Sequence, residues 1–151
     1  MPTVDQDPER EIVSTRVFAA PRAAVFGAFA DPARLAQWWG PRGFTNTIQE
    51  FDLRPGGRWR FTMHGPDGAD YPNEKEFTEV VPAERIVFRH AQTAHGFQMR
   101  MTFAEESGGT RLIWRMAFDS AADCAPVKSF IAAANEQNFD RLAAHLAARP
   151  K

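Results

Sequence analysis

Runs in which large apolar side chains alternate with arginine commit this chain to a sheet with one oily face and one wet face. Arg58-Trp59-Arg60-Phe61-Thr62-Met63 is the clearest run, and Phe97 to Phe103 and Arg111 to Phe118 repeat it. Successive side chains of a strand point to opposite faces, so each run supplies both surfaces. On this register the inward set is Trp59, Phe61, Met63, Phe88, Phe97, Met99, Met101, Trp114, Met116 and Phe118. A face built from such bulky groups needs a cover. Only one long helical pattern is available, at the C-terminal end. One helix laid over a broad aromatic sheet leaves room beneath it, and a ligand is expected there.

The punctuation of the chain supports this layout. A first strand is expected over Glu11–Ala19, with Ile12, Ser14, Arg16 and Phe18 on one side. Pro21 opens a helix, where a missing N–H costs nothing. Asp31-Pro32 caps a second short helix that runs to Trp38 or Trp39 and stops at Gly40-Pro41. Six more strands are placed near Thr45–Leu53, Arg58–His64, Lys75–Val81, Arg85–Ala91, Phe97–Glu105 and Thr110–Phe118. Turn sequences such as Pro55-Gly56-Gly57, Thr93 to Gly96 and Ser107-Gly108-Gly109 separate them. Their short, even spacing favours an antiparallel meander.

The last helix is expected from Ala125 to Ala148, with Val127, Phe130, Ile131, Ala134, Asn138, Leu142 and Leu146 on its apolar side. Asn135 and Asn138 fall inside that stripe. The fold class is therefore α+β, with helices on one face of a curved antiparallel sheet of about seven strands. Residues 1–10 read as a polar tail and 11–149 as one domain.

Composition removes several functions. Eighteen basic and nineteen acidic residues give a net charge of −1, without the basic excess of a nucleic-acid binder or the positive charge that attracts an anionic membrane. The segment Met1 to Glu11 lacks a signal-peptide core. The single cysteine, Cys124, excludes an internal disulfide and points to a reducing, cytoplasmic setting. Four histidines and one cysteine show no metal-ligand spacing. There is no phosphate loop before a helix and no Gly-x-Ser-x-Gly elbow. No cofactor and no metal are expected. The protein is expected as a monomer or homodimer.

Five segments carry a resemblance: Ala20-Pro21 with Val25-Phe26; Asp31-Pro32 through Trp38-Trp39-Gly40-Pro41; Asp52-Leu53-Arg54-Pro55-Gly56-Gly57-Arg58-Trp59; Val80 to Arg85; and Gly109-Thr110-Arg111-Leu112. In this order they resemble the helix-grip fold of the START/Bet v 1 superfamily, also called SRPBCC. They are most similar to its bacterial branch related to the C-terminal domain of the activator of the Hsp90 ATPase. The last helix departs from that pattern, with Asn138-Phe139 where relatives carry a glycine before a tryptophan. The resemblance implies a cavity between the sheet and the C-terminal helix that binds a small hydrophobic molecule, whether aromatic, lipid-like or polyketide-like. It also raises two alternatives: a cofactor-independent cyclase, dehydratase or hydrolase, and a chaperone-associated stress-response module. Two-domain activators carry a separate N-terminal chaperone-binding domain. Nothing of that size precedes Ile12, so an Hsp90 homologue is not expected as a partner.

The expected cavity wall comprises Trp38, Trp39, Trp59, Phe61, Met63, Tyr71, Phe88, Phe97, Met99, Met101 and Trp114 from the sheet side. Phe130, Ala134, Asn135 and Asn138 face them from the helix. Methionine suits such a wall because its thioether adapts to different shapes. His90 shares a face with Ile86 and Phe88 and is the candidate polar anchor or proton-transfer group. Glu76, if buried, is a candidate base. The residues leave binding and turnover both open. Arginines on the wet faces are expected in cross-strand ion pairs.

Overall fold

A single seven-stranded antiparallel sheet, in the order β1-β7-β6-β5-β4-β3-β2, carries the fold. The computed structural model describes residues 10–90 and 97–148. The strands are β1 (Glu11–Phe18), β2 (Thr45–Phe51), β3 (Arg58–His64), β4 (Asp70–Val81), β5 (Arg85–His90), β6 (Phe97–Glu106) and β7 (Gly109–Phe118). Between β1 and β2 lie α1 (Arg22–Ala30) and α2 (Pro32–Trp38). After β7 come α3 (Ala121–Cys124), a 3-10 turn over Ala125–Val127, and the long helix α4 (Lys128–Ala148). This is the expected helix-grip α+β arrangement. Among the described residues no helix is long and apolar enough to cross a membrane.

Several boundaries differ from expectation. β4 begins at Asp70 because its ladder with β3 continues as far as the His64–Asp70 pair. The long helix begins three residues late, since Ala125-Pro126-Val127 wind as a tighter turn. Residues 1–9 of the expected tail over 1–10, Ala91, the turn at Thr93 to Gly96 with His95, and the domain end at 149 lie outside the described residues.

Local chemistry explains the elements. The Asp31 carboxylate accepts from the Ala33 N–H at 3.0 Å and caps α2. Gly57 closes the β2–β3 connection where a Cβ would sit 2.0 Å from the Asp52 carbonyl oxygen, so no other residue fits. The outer sheet face is paired as expected: Arg111–Glu106 at 2.7 Å, Arg85–Glu79 at 2.7 Å, Arg115–Glu11 at 3.0 Å and Arg60–Glu50 at 3.4 Å. The exposed pairs contribute little stability each but keep that face wet, whereas Glu11 is buried beneath Arg115.

Packing between the layers is aromatic. Phe29 meets Trp38 at 4.7 Å and Phe103 at 5.4 Å, which seats α1 and α2 on β6. Phe139 of α4 meets Trp114 at 4.7 Å and Phe18 at 6.0 Å, which seats α4 on β7 and β1. Arg16 strengthens that seat by reaching Asp140 at 2.8 Å and Glu136 at 2.9 Å. The apolar stripe of α4 is set by Ile131, Asn135, Asn138, Phe139 and Leu142. At about 100° per residue, Phe130 lies half a turn from Phe139. It is accordingly 73% exposed rather than turned inward as expected.

Candidate functional site

Beneath α4 the layers do not close completely. A cavity of about 150 Å³ remains between the helix and the sheet. Trp39, Gly40 and Pro41 line it from the turn after α2, Phe61 and Met63 from β3, and Asn73 and Lys75 from β4. Phe88 of β5, Phe97 and Met99 of β6, and Trp114 and Met116 of β7 complete the sheet wall. Ala134, Asn135 and Asn138 form the helix wall.

Most of the expected wall residues are brought together here: Trp39, Phe61, Met63, Phe88, Phe97, Met99, Trp114, Ala134, Asn135 and Asn138. Trp38, Trp59 and Met101 are buried but pack inside the core instead of on the lining. Trp59 is enclosed by neighbouring rings, stacking on Phe61 at 4.4 Å and meeting Trp39 at 4.9 Å. Trp38 turns toward α1, its indole N–H donating to the Ala28 carbonyl at 3.1 Å. Tyr71 pairs with Met63 at the end of the ladder, is 45% exposed and rests near Phe44. Phe130 is outside the cavity for the helical reason given above.

The two asparagines have different work. Asn138 accepts from the Gly40 N–H at 3.2 Å and donates to the Trp38 carbonyl at 2.9 Å. Arg141 donates to the carbonyls of Trp39, Gly40 and Pro41, each at 3.1 Å. Together they tie the turn after α2 to α4. Gly40 has φ +99°, and a Cβ there would lie 2.7 Å from the Met63 methyl, so the turn passes close against the wall. Asn135 donates to the Ser14 hydroxyl at 3.2 Å while lining the cavity.

The chemistry concentrates on a residue that sequence reasoning missed. Lys75 is 5% exposed, and its Nζ lies 2.7 Å from His90 Nδ1 and 3.4 Å from Asn73 Oδ1. The rings of Phe97 and Phe88 flank it at 5.1 and 5.7 Å. Among the described residues no carboxylate reaches it. Burial lowers Lys75 to about 7. His90 is lowered to about 4, first by burial and then by the Lys75 charge. A neutral His90 accepts from Lys75 through Nδ1, which places its own proton on Nε2. His90 also stacks on Phe97 at 5.0 Å, and it touches the cavity through Lys75 instead of lining it.

Glu76, expected as a candidate base, is exposed on the outer face, opposite Arg58 and Arg89 in the two ladders. A bulge explains the exchange. Phe77 pairs with Phe88 and Glu79 with Val87, leaving Thr78 as an extra residue. Counting back by twos from Val80 puts Glu76 inside; counting back from Phe77 puts Lys75 inside. The bulge makes the second count the right one for the cavity end. The available signal was the aromatic Phe77, two residues from Lys75.

Trp114 adds one more unsatisfied group, since its buried indole N–H has no acceptor among the described residues. Cys124 is buried, and desolvation raises its thiol pKa, so it is a poor nucleophile. No cluster of three or more histidine, cysteine or acidic side chains able to hold a metal occurs among the described residues.

Comparison with solved structures places this geometry. A protein from Mycobacterium smegmatis is 31% identical, with 93% of this chain and 92% of that one covered and a TM-score of 0.81. One from Nitrosomonas europaea is 21% identical over 97% and 98% of the two chains, with a TM-score of 0.85. The AHSA1 protein from Silicibacter pomeroyi is 24% identical over 91% and 97%, with a TM-score of 0.76. The latter two speak for the fold alone. No curated protein matches the chain. The model of the family described as "Activator of Hsp90 ATPase homolog 1-like protein" matches residues 19–147, and the chain belongs to that family, within the helix-grip SRPBCC superfamily.

Proposed function

We propose that this protein binds a small, largely apolar molecule of about the size of one aromatic ring in the cavity beneath α4. The observation that carries this reading is the cavity itself: about 150 Å³ of space walled by tryptophan, phenylalanine and methionine, with polar groups gathered at Lys75. Engineered apolar cavities of about this volume hold benzene. Ligand sites are typically apolar concavities with a few oriented polar groups. A lipid or polyketide skeleton exceeds this volume and would project from the open side of the cavity. The turn after α2 resists opening, because Asn138 and Arg141 bond to it along its length.

Tryptophan fluorescence is a direct readout, since Trp39 and Trp114 line the cavity. Titration with phenol, indole and benzyl alcohol is expected to give saturable quenching and a rise in melting temperature. Ala134→Phe, which fills the space, is expected to abolish both. If no ring-sized compound changes either signal, the reading fails.

A second reading, turnover of the ligand without a cofactor, is favoured by the amine of Lys75 held 2.7 Å from His90 on the wall. A positioned acid–base group beside an oriented substrate is sufficient for catalysis. Product analysis by mass spectrometry after prolonged incubation separates turnover from binding. The free thiol of Cys124 fits a reducing compartment, and we place the protein in the cytoplasm.

A further inference from the structure

Lys75 is the feature of the interior that packing alone does not explain. A lysine in a strand ordinarily runs its stem along the surface and leaves its ammonium in water. Here the side chain is buried, and Lys75 lines the cavity. A protonated lysine offers three N–H donors. His90 Nδ1 and Asn73 Oδ1 take two of them, the second at a long 3.4 Å. Among the described residues nothing supplies a negative charge. Of the carboxylates on its own strand, Glu74 and Glu76 lie on the outer face opposite Arg60 and Arg58, Asp70 pairs with His64 and Glu79 with Arg85. From β3 it faces Trp59, from β5 the titratable His90, from β6 Phe97, and α4 presents Asn135 and Asn138 across the cavity. A buried cation with no counter-ion is costly, whereas the same cation facing an anion is stabilised. On the same wall, the indole N–H of Trp114 lacks an acceptor. The open third donor of Lys75 and the indole N–H of Trp114 both call for an acceptor, and the buried ammonium favours a negatively charged one.

We propose that the cavity takes a small aromatic carboxylic acid, with its ring among Phe88, Phe97, Met99 and Trp114 and its carboxylate seated on the Lys75 ammonium. This rests on the cavity-binding reading above and adds the ligand's charge. The arrangement couples binding to protonation. With burial holding Lys75 near 7 when the cavity is empty, an arriving carboxylate favours the charged amine and draws a proton onto it. Affinity for the acid therefore falls as pH rises through the alkaline side of neutrality, by about tenfold per unit at the limit. The carboxylate itself stays ionised across this range.

The test compares benzoate with benzyl alcohol, which share the ring and differ in charge, by isothermal titration calorimetry on the full chain. At pH 6.5 benzoate is expected to bind at least tenfold more tightly. Between pH 7.5 and 8.5 its affinity is expected to drop several-fold while that of benzyl alcohol stays constant. Heats at pH 8 in buffers of different ionisation enthalpy should report uptake of close to one proton, a readout that needs no mutation. Lys75→Met and Lys75→Gln, with folding checked by circular dichroism, are expected to collapse the preference for benzoate. Equal affinity for the two compounds, or a benzoate preference that survives both substitutions, overturns the proposal while leaving the cavity reading in place. Binding of neither compound overturns both. A benzyl adduct trapped on Lys75 by benzaldehyde and cyanoborohydride, without benzoate binding, overturns the acid and assigns the amine to carbonyl chemistry.

Discussion

The interior has two ends, and they are built on different rules. At the α1–α2 end, rings interlock edge to face: Phe29 with Trp38 and Phe103, and Phe26 with Phe103 at 5.6 Å. The α4 seat on β7 and β1 closes through Phe139, edge to face on Phe18 and tilted against Trp114. At the other end methionines and a buried amine join phenylalanine and tryptophan on the wall, and space remains. Offset aromatic pairs have strong geometric preferences and lock one arrangement. Methionine side chains conform to what they meet. One end therefore specifies the fold, and the other tolerates an occupant.

That contrast can be broken by experiment. The largest effect is expected from Phe139→Ala, which removes a fully buried ring from the tight end. A loss of about 3–5 kcal/mol is expected in chemical denaturation. Met99→Ala, on the cavity wall, is expected to cost less, about 2 kcal/mol, because the wall already borders free volume. If the two cost the same, the ends do not differ.

Lys75 sharpens the comparison through pH. Its pKa is lowered to about 7 in the folded protein from the usual 10.5. Between those values the unfolded chain binds more protons, so stability rises with pH, by at most about 1.4 kcal/mol per unit. The penalty is fully present below pH 7. Lys75→Met is expected to flatten this slope in denaturant titrations from pH 7 to 10. His90, lowered from 6.5 to about 4, acts in the same direction at lower pH. Stability is expected to rise between pH 4 and 6.5, and His90→Gln to remove that portion of the rise.

Smaller effects follow at the turn and on the outer face. Asn138→Ala leaves the Gly40 N–H and the Trp38 carbonyl without partners and is expected to cost about 1–3 kcal/mol. Loosening that turn should also quicken ligand exchange, measurable by stopped-flow fluorescence. Glu76→Gln is expected to change stability by less than about 0.5 kcal/mol and to leave binding untouched. A large effect there would reverse the assignment of β4's faces.

Much of this was legible in the chain. The alternation around Trp59-Arg60-Phe61 and Met99-Arg100-Met101 assigned inner and outer faces correctly, because strand parity is a local property. Asp31-Pro32 and Gly40-Pro41 marked the limits of α2 through local turn chemistry. The ion-paired outer arginines followed from parity and charge balance. The spacing along α4 fits an apolar stripe with Phe130 as well as one with Phe139, and only the seat of Phe139 on Trp114 and Phe18 settles which side faces inward.

By itself, then, the sequence determined most of the side chains that belong to the interior and in what order the elements run, since these depend on neighbours two to four residues apart. Only the tertiary structure decided that Trp59 and Met101 fill space while Met99 and Trp114 border it, because a void is the difference between volumes contributed by elements remote in sequence. It also decided that Lys75 turns inward and Glu76 outward, since the bulge at Thr78 exists only where β4 meets β5.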